Sequence, residues 1–437
     1  MSRHSLRPVR AVVVSLLLSI AGAGAVGACS SASGTGSTTL TYWATNQSAT
    51  IGEDQALLTR ELKKFTAQTG IKVNLEIPTW QVLYGKIETA IAGGVGPDVV
   101  NIGATWGAAL QSTRGFVSLG SKQLAELGGA SRFLSTSLAS GGALGLPPIA
   151  VPLYAQVYLL YYNTAMFAAA GITSPPTTWA EYVADAKRLT KPGQWGVTAT
   201  AAQDLINAHL AFMLGRQNGA ELYDAQGRPQ FDTPAEVAGV RQVIDLMAVD
   251  HVINPSDAEH SQSEGSQEFG AGKAAMLITQ STARGYLKAI GMKNYAIAPL
   301  PVLTPTPAGG AAVQSIVAGT NIAVMKSSKH EAAALKLVKF MTSDAELTIL
   351  NQAYGSLPPV NDLYSVPAFD NPAITLMGKV LAQHAEPMPR VPTEPTMEAV
   401  IGAAVSSLWA KAATGRVSDS EIASALADAQ KKLTSGS

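Results

Sequence analysis

The chain predicts an α/β protein of two lobes, each a mainly parallel sheet flanked by helices, and three observations carry that expectation. Strand-like and helix-like stretches alternate between residues 39 and 102, the pattern of successive βαβ units and a parallel sheet. At 437 residues the chain is about twice what one hydrophobic core usually organises. Helical patterning returns after each Pro-rich passage, so the chain is expected to pass between the lobes more than once.

Residues 39–45 read as the first strand, and residues 53–69 as a helix with Leu58, Leu62 and Phe65 on one face. Residues 71–77 alternate apolar and polar with period two, a second strand. A helical stretch at 82–92 and the punctuation Gly96-Pro97-Asp98 then precede a third strand at 99–102. A Pro-rich turn over 146–152 leads into an extended aromatic stretch at 156–163. Thr178, after Pro175 and Pro176, is the expected N-cap of the next helix. Residues 179–276 read as mostly helix, followed by short apolar segments at 274–279 and 295–298. Beyond Pro299, Pro301, Pro305 and Pro307 come a strand at 321–325, a helix at 329–341 and a helical region ending near Leu433.

The N-terminus carries an export pattern: Arg3, Arg7 and Arg10, an apolar run over 11–20, then Val26-Gly27-Ala28-Cys29. The run is short of the roughly 20 apolar residues that a transmembrane helix needs. Val-Gly-Ala-Cys resembles a bacterial lipobox, which implies a signal peptide over 1–28, acylation of Cys29 and a Ser/Gly-rich tether over 29–38. Cys29 is the only cysteine, so disulfides and thiol chemistry are not expected. Lys and Arg together number 31, as do Asp and Glu. Removing the three signal arginines leaves an excess of three acids, which speaks against nucleic acid as a partner.

Enzyme-like fragments fail on spacing. Gly270-Ala271-Gly272-Lys273 is followed by Ala274, so it lacks the hydroxyl of a phosphate loop. His330-Glu331 has Leu335 where a second zinc-binding histidine would stand, and no Gly-x-Ser-x-Gly occurs. Glu53-Asp54 suits the first turn of a helix, where carboxylates favour the dipole. No catalytic residue, metal or cofactor is expected.

Five short motifs occur in order: residues 69–76 (Thr-Gly-Ile-Lys-Val-Asn-Leu-Glu), 96–100 (Gly-Pro-Asp-Val-Val), 151–163 with Val-Pro-Leu-Tyr and Leu-Tyr-Tyr-Asn, 272–276 (Gly-Lys-Ala-Ala-Met) and 355–359 (Gly-Ser-Leu-Pro-Pro). With them the chain resembles the extracellular solute-binding proteins of ABC importers, in the sugar-binding group that includes maltodextrin-binding protein. The resemblance implies a type II-like periplasmic-binding-protein fold with lobes joined by hinge strands. The N-terminal lobe would hold 39–153 and 302–342, and the C-terminal lobe 154–301 and 343–437. It also implies a lipid-anchored monomer outside the cell membrane, whose partners are a sugar ligand and ABC permease subunits with a separate ATPase.

Ligands of such sheets bind beyond the carboxyl ends of strands. The implied ligand residues are therefore Asn46, Gln47 and Ser48 after the first strand, Thr105 and Trp106 after the third, and Tyr154 and Gln156 at the first hinge. In the second lobe they are Asn207, Gln280, Ser281 and Arg284, with Arg390 from a loop near the C-terminus. Trp106 and Tyr154 are equally readable as core, Asn46 and Gln47 as helix caps, and His209 as a satisfied core histidine. Gln156 falls where maltodextrin-binding protein carries a carboxylate, and the loop after Gln280 lacks that protein's tryptophan, so the sugar stays open. Alternatives are a glycerol phosphate or glycerophosphodiester receptor of the same fold, using Arg284 or Arg390, and a lipoprotein enzyme acting on envelope glycans.

Overall fold

The computed structural model describes residues 38–48 and 50–435. The export signal, Cys29 and nearly all of the tether lie outside the described residues. In chain order the strands are β1 (Thr39–Trp43), β2 (Lys72–Glu76), β3 (Val99–Gly103), β4 (Ala150–Gln156), β5 (Tyr158–Asn163), β6 (Trp195–Thr198), β7 (Ala274–Gln280), β8 (Tyr295–Ala298), β9 (Ser315–Ile316), β10 (Ala318–Val324) and β11 (Ala385–Glu386).

Two sheets organise them. The first has the order β2-β1-β3-β10-β4 and the second β6-β7-β5-β8, while β9 and β11 form a small parallel pair. In the first sheet only β10 runs against its companions, and in the second only β5 does. Each reversed strand sits inside its sheet and reaches it from the other side of the molecule. Val157 alone separates β4 from β5, and Val317 alone separates β9 from β10, so both crossings are extended chain.

Local chemistry sets the helix ends. Thr50 and Glu53 form a reciprocal capping box that starts the helix Ile51–Thr69, and Gly70 ends it at φ 73°. That helix buries Leu58, Leu62 and Phe65 as its periodicity predicts. Thr178 caps Trp179–Leu189 in the same reciprocal manner with Glu181. Asp98 of the Gly-Pro-Asp motif accepts from Thr41 N at 2.8 Å and Ser328 Oγ at 2.5 Å, tying β1 to the turn after β10.

Three readings need correction. Residues 150–152 are strand, not turn: β4 lies at the sheet edge and its pairing with β10 shifts register between Pro152 and Tyr154, the kind of position where a proline is tolerated. Residues 195–198 form β6 inside the stretch read as helix; four residues are too few to show a period, although Pro192 and Gly193 mark the break. Asp54 does not simply face the helix dipole: it is fully buried and accepts from the backbone N–H groups of Gln47 and Ser48 at 3.0 and 3.1 Å.

One buried cluster joins Leu40, Phe65, Leu153 and Ile322 to Leu337 and to Leu347 and Leu350 of the helix Asp344–Tyr354. Another joins Tyr158, Phe212, Val240 and Met276 to Met397, Val405, Trp409 and Leu426 near the C-terminus. Tyr161 and Leu277 of the second sheet belong to the first cluster, so apolar packing is continuous beneath the crossings.

Candidate functional site

The loop after β1 is shaped by Asp54, whose two backbone hydrogen bonds fix Gln47 and Ser48. Burial pushes the Asp54 carboxyl up, against the lowering effect of those bonds. Held there, Gln47 donates from Nε2 to Thr45 Oγ1 at 2.8 Å and to Thr320 Oγ1 at 3.4 Å, and its Oε1 accepts from Gln156 Nε2 at 3.1 Å. Gln47 and Gln156 thus meet, with Thr320 of β10 beside them. Asn46 turns away: its Oδ1 accepts from Trp80 N at 3.2 Å and its carbonyl from Trp80 Nε1 at 3.1 Å. It caps the helix Trp80–Gly93, not the helix that follows it in sequence.

Trp106 stands after β3, 7% exposed. Its ring makes edge-on contacts with Trp80 and Tyr84 at 5.4 and 5.1 Å, and a Cβ on Gly103 would approach it to 3.0 Å. The indole folds back over its own strand end, while the half-buried rings of Trp80 and Tyr84 extend the aromatic surface. Tyr154 is buried and packs edge-on against Tyr354 at 5.1 Å.

A chain of polar contacts runs from β7 of the second sheet to Thr105, just past β3 of the first. Gln280 Nε2 donates to the Tyr158 hydroxyl at 3.4 Å, and that hydroxyl lies 2.7 Å from His209 Nδ1. His209 Nε2 is 2.7 Å from Glu398 Oε1, and Thr105 Oγ1 donates to Glu398 Oε2 at 3.2 Å. Burial holds the Tyr158 phenol well above its ordinary value, so it keeps its proton to donate to Nδ1. That assigns the His209 proton to Nε2, and Glu398 becomes the acceptor in which both arms end. One helical turn before it, Glu394 is fully buried and neither of its oxygens has a hydrogen-bond partner among the described residues. Burial first, then the neighbouring Glu398 charge, raises the Glu394 carboxyl well above the usual range.

The remaining residues are held elsewhere. Asn207 donates to Ala201 O and Ser406 Oγ at 2.7 and 2.9 Å and accepts from Trp409 Nε1 at 3.2 Å, which locks two helices together. Ser281 is fully buried, its hydroxyl without a hydrogen-bond partner among the described residues. Arg284 lies against Met377 Sδ at 3.8 Å and beside Tyr295. Arg390 Nη1 donates to Ala139 O at 3.2 Å. Arg390 also borders an open recess of about 680 Å³ lined by Phe133, Leu138, Gly142, Pro148 and Asn361. Of the expected ligand residues only Arg390 lines that recess; Thr105 instead bonds Glu398.

Residues 25–347, well over half of the chain, match the family of bacterial extracellular solute-binding proteins. The chain belongs to that family. The diacetylchitobiose binding protein DasA of Streptomyces coelicolor is 26% identical over 356 residues, covering 80% of this chain and 77% of its own. A solute-binding protein of Thermotoga lettingae solved with α-D-tagatose superposes with a TM-score of 0.78 at 20% identity, covering 91% of this chain and all of the other. One of Agrobacterium radiobacter solved with ribitol gives a TM-score of 0.78 at 24% identity, with 92% and 99% covered. These neighbours share the two-lobed architecture of this solute-binding protein. No helix among its described residues is long and apolar enough to cross a membrane.

Sequence reasoning passed over Tyr158, Glu394 and Glu398 and read His209 as core. Glu394 and Glu398 did offer a signal: two acids four apart, facing the buried side of a helix that also carries Met397 and Ile401. Charged residues are almost never fully buried unless paired, so acids on an apolar stripe are worth weighing as site candidates, although Glu236 shows that such an acid can also be structural.

Proposed function

We propose that this solute-binding protein captures a neutral sugar, mono- or oligosaccharide, between its lobes and delivers it to a membrane permease driven by a separate ATPase. The observation that carries this reading is the cross-sheet contact from Thr105 to Glu398, beside a wall of neutral amides and hydroxyls. A polyol needs hydrogen-bond acceptors and donors from both sides, and half-buried rings such as Trp80 and Tyr84 suit the apolar face of a pyranose. The names of the relatives, with diacetylchitobiose, tagatose and ribitol among their ligands, support the same class.

A phosphate ligand fits this arrangement poorly, because the buried Glu394–Glu398 pair offers acidic groups and no cation to it. Arg284 and Arg390 are turned to Met377 and Ala139 O instead. The lobe division is proposed with its bends moved from the cuts at 153/154 and 301/302 to Val157 and Val317, each flanked by strands of different sheets, and with the helix Asp344–Tyr354 given to the first lobe, whose buried cluster Leu347 and Leu350 join. To move the lobes from about 1:99 to 99:1 in favour of closure, a ligand must prefer the closed form by about 5.5 kcal/mol. Contacts from one lobe alone cannot supply that preference. Cys29 is proposed as the lipid anchor.

Thermal-shift and calorimetric screening of the whole chain against mono- and oligosaccharides, ribitol and glycerol 3-phosphate tests the ligand class. Stabilisation by a neutral sugar with no turnover is the expected result. Stabilisation by glycerol phosphate alone, or hydrolysis of a bound glycan, would replace the sugar-receptor reading.

A further inference from the structure

We propose that closing the lobes takes up a proton at the Glu394–Glu398 pair, so that the empty protein favours closure in acid and opens as the pH rises. The argument starts from where the pair stands. Both residues lie in the first turns of the helix Glu394–Ala412, which packs in the core of the second sheet through Met397, Ile401 and Val405. What covers them comes partly from the first sheet. Thr105, just past β3, donates to Glu398 and also acts on Glu394, and Tyr84 of the helix Trp80–Gly93 stands near Glu394. From the second lobe, Glu398 faces Glu394, His209 and Tyr158 stand behind Glu398, and Tyr223 stands near Glu394 with its hydroxyl 3.1 Å from Thr393 Oγ1.

No lysine or arginine is among the groups acting on Glu394. The hydrogen bonds of Thr105 and His209 go to Glu398, whose neighbouring charge raises Glu394. Glu394 is left with two unpartnered oxygens against that charge. A second buried charge there would cost several kcal/mol, so in the closed form Glu394 carries a proton. Parting the lobes removes Thr105 and Tyr84, admits water and returns Glu394 to an ordinary carboxyl. A group that binds its proton more tightly in the closed form favours closure at low pH. That advantage fades as the pH climbs from the ordinary glutamate value of 4.5 through the raised one. Within that window the ratio of closed to open empty protein should fall about tenfold per pH unit, and ligand affinity, which draws on the closed form, falls with it.

The test needs no ligand, so its outcome is independent of the sugar assignment. Spin labels placed by Lys63→Cys and Lys432→Cys, on the exposed faces of helices packed with the first and second clusters, report the lobe distance in the whole chain carrying Cys29→Ser. Expected is a short-distance population that shrinks steadily from pH 5 to pH 8. Glu394→Gln should flatten that dependence and keep the short distance populated at pH 8. Glu236→Gln, which alters a buried acid inside the second lobe, should leave it unchanged. Identical distance distributions across the pH range in the parent chain would overturn the proposal even if no variant folds. So would a pH dependence that survives Glu394→Gln.

Discussion

The two polar walls solve the same problem in different currencies. On the first sheet, Gln47, Gln156 and Thr320 form a neutral cluster in which amide and hydroxyl groups satisfy one another. On the second, Tyr158, His209 and Gln280 converge on a carboxylate, with a second carboxylate left unpartnered beside it. A neutral wall can exchange its internal hydrogen bonds for bonds to a ligand at small cost, since each is worth about 1 kcal/mol net. A buried ionic wall cannot: removing one member strands a charge or a donor in a low-dielectric interior. The first wall is therefore suited to adapt to its cargo and the second to fix the closed geometry.

The difference is broken most severely at Glu398. Glu398→Ala leaves the His209 ring and the Thr105 hydroxyl without their acceptor, and we expect a loss of about 3 to 5 kcal/mol in chemical denaturation. Ligand affinity should fall with it, because Thr105 reaches Glu398 only when the lobes are together. A loss below about 1 kcal/mol would mean that the carboxylate is hydrated and that the second wall is no more rigid than the first.

Glu236 provides an acid that is equally buried but lies within one lobe. It sits against the bare backbone of the helix Asp204–Asn218, where a Cβ on Gly215 would come within 1.9 Å of Glu236 Oε2. Burial pushes its carboxyl up to about 8. The folded protein thus binds a proton that the unfolded chain, with glutamate near 4.5, has already lost. Stability from this group is present in full below pH 4.5 and declines, by up to about 1.4 kcal/mol per pH unit, until pH 8. Denaturation of the parent and of Glu236→Gln at pH 5 and pH 7.5 should show a smaller decline in the variant. Equal declines would assign the pH dependence to other groups.

How far the sequence reached follows the same division. The first βαβ units were legible because the periods of β2 and of the helix Ile51–Thr69 are clean and their caps obey local rules. Gln47, Gln156, Thr105 and Gln280 were named because they stand at or just past strand ends, a position the chain direction alone indicates. β4 was half lost to Pro152, whose tolerance depends on an edge position that no local signal announces. Asn46, Asn207 and Trp106 were named as ligand residues, yet their partners are Trp80, Trp409 and Tyr84, tens to hundreds of positions away. Glu394 and Glu398 were missed because their meaning depends on what the tertiary fold sets against them.

The neutral wall is sharpened by Gln47 and Gln156 together. Either residue changed to Ala should cost about 0.5 to 1.5 kcal/mol of ligand affinity. The double variant should lose less than the sum, since the two share the 3.1 Å bond. Strict additivity in calorimetry would show that the amides meet the ligand independently, and no loss at all would remove the neutral wall from the site.

Arg390 gives the smallest and most discriminating effect. Its guanidinium is half buried and donates to a carbonyl of the segment before β4, so it ties the C-terminal loop to the first sheet's side of the molecule. No carboxylate is paired with it among the described residues' ion pairs, and one hydrogen bond to a neutral carbonyl at a partly exposed site is worth about 0.5 to 1 kcal/mol. Arg390→Ala should therefore weaken ligand binding only a fewfold, by favouring the open form, with the melting temperature nearly unchanged. Because neither the tie nor a neutral sugar carries opposing charge, the affinity of parent and variant alike should vary little between low and high salt. An affinity that falls steeply with salt in the parent and loses that dependence in the variant would place Arg390 against an anionic group of the ligand. It would also make the charged side of the site the one that reads the cargo.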